Sequence, residues 1–85
     1  MNAAEVRSLI ETGLPGAHVR VVSDDDTHFE AVIVAPQFAG KRRIQRHQLV
    51  YGALGPLMGR EIHALTMQVL APGEEGSGPE APGPI

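Results

Sequence analysis

The C-terminal stretch of this sequence limits what the rest of it can be. Residues 71–85 read APGEEGSGPEAPGPI, with four prolines and four glycines, and only Ala71, Ala81 and Ile85 are apolar. Such a segment cannot bury enough surface to offset the entropy of ordering it. The composition predicts a disordered acidic tail over 72–85 and one folded unit over about residues 1–71. That is close to the smallest size at which a domain holds together without a disulfide or a metal. A disulfide is excluded, because the chain contains no cysteine. The same absence excludes a zinc ribbon, a thiolate nucleophile and a self-contained iron–sulfur site, and it fits a reducing cytosol.

Seven Lys and Arg against ten Asp and Glu leave a net charge of −3. This argues against a protein that grips nucleic acid phosphate with its whole surface. No apolar run approaches the roughly 20 residues needed to span a bilayer. The opening MNAAEVRSLIETG carries acidic residues and no long apolar stretch, so no signal peptide is expected and the predicted location is cytoplasmic, away from membranes.

Along the chain, Asn2 and Glu5 have the spacing of an N-cap with a glutamate at N3. Val6, Leu9, Ile10 and Leu14 then fall on one helical face, which Gly13 and Pro15-Gly16 terminate. Residues 18–23 alternate, with Val19 and Val21 on one side. After Asp24–Asp26, residues 28–35 alternate again, with Phe29, Ala31 and Ile33 on one side, and Pro36 ends the run. The short polar link predicts an antiparallel hairpin. A helix is expected from about Arg43, with Ile44, Val50, Ala53, Leu54, Leu57 and Met58 on its apolar stripe and a break at Gly55-Pro56. Residues 61–70 read as a third strand, with His63, Leu65, Met67 and Val69 on one face and Ile62, Ala64 and Leu70 on the other. A helix between the second and third strands makes them parallel with a right-handed crossover. The predicted class is α+β, in the order α-β-β-α-(α)-β. It has a three-stranded mixed sheet covered by helices on one face, like a type II KH module.

Few residues offer chemistry. The four histidines are His18, His28, His47 and His63, and no HExxH pattern or i, i+4 pair joins them. Asp24–Asp26 read as a solvated turn. Gly52-Ala53-Leu54-Gly55 formally matches the GxxG clamp of KH domains, but it falls inside a predicted helix. Lys41, Arg42, Arg43 and Arg46 gather four of the seven cations at a helix start, where they oppose the helix dipole. They suit nucleic acid phosphate, an acidic partner protein, glutathione carboxylates or simply a solvated face. No nucleophile–base pair is identifiable, and an enzyme is not expected.

Four pieces of sequence, in order, resemble the BolA family, particularly its BolA/IbaG branch. They are Thr27-His28-Phe29, Phe38-x-Gly40-Lys41, Arg46-His47-x-x-Val50-Tyr51 and Ile62-His63-Ala64-Leu65. The resemblance covers about residues 1–72. The family often continues with Pro-x-Glu-Trp, of which Pro72-Gly73-Glu74 keeps the first part.

The resemblance implies a BolA-like fold and a non-catalytic adaptor that pairs with a monothiol glutaredoxin. The two proteins would share a [2Fe–2S] cluster, the glutaredoxin supplying one cysteine and a bound glutathione thiol. From this chain it implies His63, of the HAL motif, as one ligand, and a second ligand from the loop between the first two strands. That second position falls near Asp25, a hard oxygen donor poorly matched to such a cluster. His28 is the imidazole in reach and is taken as the candidate. Neutral histidine in place of thiolate removes negative charge and raises the potential, as in Rieske centres. The rival class is a KH-like nucleic-acid-binding transcriptional regulator of stress response or morphology, with DNA as the alternative partner. Against it stand the net charge and the scarcity of stacking rings, one Tyr, two Phe and no Trp.

Overall fold

A computed structural model describes residues 1–74. Helix α1 (Ala3–Gly13) starts with the expected capping box: Asn2 Oδ1 accepts from Glu5 N at 2.9 Å, and Glu5 Oε1 accepts from Asn2 N at 2.8 Å. Strands β1 (His18–Val22) and β2 (His28–Val34) form the antiparallel hairpin, His18 opposite Val34 and Val22 opposite Glu30. A single 3-10 turn (Pro36–Phe38) leads to α2 (Arg43–Leu54), and a second one (Gly55–Leu57) follows it. Strand β3 (Ala64–Leu70) returns parallel to β2, with His28 level with Ala64 and Val34 level with Leu70. The sheet order is β1-β2-β3.

Period-2 alternation gives the sheet one wet and one dry face. Phe29, Ala31 and Ile33 are buried against Val6, Ile10, Val50 and Leu54 of the helices, as their spacing predicts. Glu30, Val32, Thr66 and Gln68 line the exposed face. The helices meet at Gly13, where an added Cβ would clash with the Ala53 side chain. This glycine is fixed by close approach of two backbones.

Three boundaries differ from the sequence reading. Ile44 is 62% exposed rather than part of the buried stripe. At about 100° per residue it lies about 240° round the helix from Val50, whereas Arg46 lies about 40° away. The inner position therefore belongs to Arg46. β3 begins at Ala64 rather than 61, because the chain turns first: Gly59 N donates to Ile62 O and Ile62 N to Leu57 O. That turn buries Ile62 completely in the core, apart from Ala64, with which the strand reading pairs it on one face.

The third difference concerns the tail. Residues 72–74, assigned to it by composition, belong to the described structure, while 75–85 lie outside the described residues. Glu74 is held by Arg46 in a two-pronged pair, Nη1 to Oε1 at 2.7 Å and Nη2 to Oε2 at 3.1 Å. Glu74 Oε1 also accepts from Ala71 N at 2.9 Å. The Arg46 side chain is only 12% exposed. It lies over the Phe38 ring and donates to the carbonyls of Lys41 and Val69.

The hydrogen bonds from Arg46, and then from Ala71 N, hold the Glu74 carboxyl down to about 2. A carboxylate depressed in the folded state contributes stability that is complete above its unfolded value, here 4.5, and is lost as pH falls towards about 2. Glu74 is partly exposed, so solvent screens part of the effect. Glu74→Gln should cost about 1 kcal/mol at pH 7 and flatten the acid limb of the stability curve. A chain ending at Pro72 should fall short of the full chain in urea denaturation by at least about the Glu74→Gln deficit.

Candidate functional site

The β1–β2 loop is built from its own side chains. Ser23 Oγ accepts from Asp26 N at 2.9 Å and donates to His28 O at 2.6 Å. Asp25 Oδ1 accepts from Thr27 N at 3.0 Å and His28 N at 2.9 Å, and Asp25 Oδ2 meets His28 Nδ1 at 2.8 Å. These bonds, the backbone N–H of His28 first, hold the Asp25 carboxyl well below the usual carboxylate range. Asp26 closes the loop in the left-handed region, with φ 60°.

Parallel pairing of β2 with β3 brings the His63 backbone beside the end of this loop. His63 N and Ala64 N both donate to Thr27 O, at 3.1 and 3.3 Å. His63 thus sits on the turn just before β3 rather than in the strand, and it is exposed. The His28 side chain is 67% exposed. Beside His28 lies an open cleft of about 270 Å³, walled by Asp25, Glu30, Ala64 and Thr66 among others. Among the described residues no group of three or more His, Cys, Asp or Glu is placed to hold a metal ion. The site offers imidazoles at one end of a sheet and needs further donors from elsewhere.

The cations are not part of this end. Lys41, Arg42 and Arg43 are exposed at the start of α2, beside the C-terminal end of β3, to which Arg46 is tied through Val69 O. Seven residues of β3 separate the two ends, about 20 Å at about 3.3 Å per residue. Arg46 also leaves the binding set predicted from sequence: its guanidinium is occupied by Glu74 and two carbonyls. The signal for that role was the Pro72-x-Glu74 remnant of the family motif, which supplies the carboxylate. Gly52 and Gly55 lie towards the opposite end of α2 from the three cations, about 14 and 18 Å from Arg43 at about 1.5 Å per residue. No basic clamp is assembled there.

His47 packs edge-on against Tyr51, ring centroids 6.3 Å apart at 87°. Its Nε2 is buried without a hydrogen-bond partner among the described residues. Burial, and secondarily Arg43, push its pKa down, so it serves as a neutral packing residue.

A family model described as BolA-like protein matches residues 10–74. This chain belongs to the BolA-like family. Its fold is similar to the solved structure of a bolA protein homologue from Coxiella burnetii, with TM-score 0.75 and 41% identity over 89% of this chain and 97% of that one. It is 37% identical over 59 residues to BolA-like protein 1 of Homo sapiens, covering 69% of this chain and 42% of that protein. It is 39% identical over 49 residues to the DNA-binding transcriptional regulator BolA of Haemophilus influenzae, covering 58% of this chain and 48% of that protein. The chain thus spans less than half the length of these two BolA relatives. Among the described residues no helix is long and apolar enough to cross a membrane.

The lowered His47 value gives a pH test of the BolA-like domain. A histidine depressed on folding favours the folded state fully above its unfolded pKa of about 6.5 and loses that contribution as pH falls below it. Denaturation midpoints should therefore drop between pH 7 and pH 5, and His47→Gln should shrink that drop.

Proposed function

We propose that this chain is a non-catalytic adaptor that binds a monothiol glutaredoxin and shares a [2Fe–2S] cluster with it as cargo. The observation that carries the reading is the attachment of His63 to Thr27. The backbone bond brings the HAL histidine beside the loop that holds His28. Two imidazoles suit a cluster whose remaining ligands are thiolates, since histidine replaces cysteine on one iron of such centres. This chain has no cysteine of its own, so the thiolates come from the glutaredoxin and its glutathione. An incomplete, exposed donor set fits a cluster that is handed on in iron–sulfur trafficking or iron regulation.

The Lys41–Arg43 cluster, about 20 Å from the histidines, fits the rim of the glutaredoxin interface. Specific interfaces bury about 800 Å² per partner, a patch wide enough to include both. Rim charges act mainly on association rate. Neutralising Lys41, Arg42 and Arg43 should slow glutaredoxin binding and reduce its salt dependence, read by stopped flow.

The relative's name as a DNA-binding regulator favours a second reading, in which the same three cations contact phosphates. Three contacts would give a salt slope of about −3. On the adaptor reading, DNA binding near physiological salt is weak and indifferent to sequence. Submicromolar, sequence-specific binding by the isolated chain would reverse the order of the two.

Reconstitution with a monothiol glutaredoxin, glutathione, iron and sulfide tests the ligands. His63→Ala should change stability by no more than about 0.5 kcal/mol, as for other exposed positions. The apo heterodimer should persist. The visible circular dichroism of the loaded complex should move towards that of the glutaredoxin homodimer, whose ligands are all thiolates. His28→Ala should do the same, and His47→Ala should not. A wild-type spectrum from a folded His63→Ala heterodimer would remove the adaptor reading's central residue.

A further inference from the structure

From the geometry of the β1–β2 loop we infer that Asp25 is a positioning residue. It fixes the tautomer of His28 so that Nε2 carries the lone pair offered to iron. The inference rests on the reading of His28 as a ligand.

The argument starts from the acceptor count. A carboxylate can only accept, so the 2.8 Å contact between Asp25 Oδ2 and His28 Nδ1 requires a proton on Nδ1. A neutral imidazole has one N–H, which leaves Nε2 unprotonated. Thr27 Oγ1, 3.1 Å from the same Nδ1, accepts the other share of that proton's bond. The carboxylate cannot swing away, because Oδ1 is held by the N–H groups of Thr27 and His28. The ring's own strand is held by Ser23 Oγ, which donates to His28 O.

The two oxygens thus have separate tasks. Oδ1 closes the loop, which is all the fold requires of this residue. Oδ2 is spent on a ring that is 67% exposed, where an ion pair adds little to stability. A ring held by a carboxylate at one nitrogen and open at the other is the arrangement that orients metal-binding histidines and raises their basicity. His18, exposed on the outer face of β1, provides a reference within the same chain.

Asp25→Asn separates the two tasks. The amide oxygen keeps both backbone N–H bonds, which prevents a flip that would set NH2 against two donors. The NH2 group then faces His28 Nδ1 and donates to it, which moves the ring proton to Nε2. The substitution keeps the loop and inverts the tautomer.

The test is a pair of measurements. Nitrogen-15 two-bond correlation spectra of the apo chain at pH 8 read the tautomer without any cluster. Wild-type His28 should show a protonated Nδ1 and a lone pair on Nε2, unlike His18, and Asp25→Asn should reverse the two nitrogens. In the glutaredoxin heterodimer, Asp25→Asn should then weaken cluster retention by about 10- to 100-fold, the usual loss for such a partner, with the backbone amide shifts of the loop preserved. A wild-type His28 resembling His18, or protonated at Nε2, overturns the inference and leaves the ligand set to be decided by His28→Ala. A wild-type ring in the expected tautomer with an unchanged His28→Ala spectrum overturns the ligand reading of His28, and Asp25's role towards iron falls with it.

Discussion

The guanidinium of Arg46 ties together the start of α2, the end of β3 and the segment that follows it. It donates to Lys41 O before α2, to Val69 O near the end of β3 and to both oxygens of Glu74, while its plane lies over the buried Phe38 ring. A domain this small has little apolar surface to spare. A half-sheathed arginine lets the inner position of α2 next to Val50 be filled without a cavity and without an unpaired charge. The bonds are also directional, so they set where β3 ends and where the chain must turn. A lysine has one point charge in place of the planar fork and could not serve these acceptors together.

That clamp explains why the two chemically distinct regions stay apart. Arg46 fixes the basic start of α2 to the C-terminal end of β3, and the parallel register of β2 and β3 fixes the histidines to the N-terminal end. The separation is then set by strand length alone. A partner that uses both regions has to lie along the edge or face of the sheet rather than cap one end of it.

Much of this was legible in the sequence because the patterns were local. The capping pair Asn2 and Glu5, the alternation through Phe29, Ala31 and Ile33, and the break at Gly55-Pro56 each follow from neighbours a few residues apart. What escaped depended on distant partners. Arg46 looks like one cation of four until Glu74, 28 residues on, takes it out of solvent. Ile44 looks like core because it is apolar, and only its angle to Val50 shows otherwise. Ile62 looks like a strand residue on the face of Ala64 because the turn that buries it is made by backbone bonds to Leu57 and Gly59, which leave no mark on periodicity. At the site, the histidines could be named from the motif, but the backbone bond that fixes His63 to Thr27 O could not. Asp25 could be marked from the family's loop position, but its bond to the His28 ring could not, since it depends on how the loop folds back.

On the adaptor proposal, the construction of the site bears on how a shared cluster would be released. Rigid metal sites are closed by several donors from one framework. Here the framework supplies exposed imidazoles, with a cleft beside His28 and no group of three donors among the described residues. Orientation comes instead from the loop: Ser23 and Asp25 fix the strand start and the ring through bonds of 2.6 to 3.0 Å. On that proposal the His28 ring is preorganised while the coordination shell stays incomplete. Preorganisation lowers the entropic cost of engaging a partner-borne cluster, and incompleteness leaves the final affinity to the partner. On the adaptor proposal, a chain built this way takes up its cargo only as half of a complex and gives it up when that complex parts.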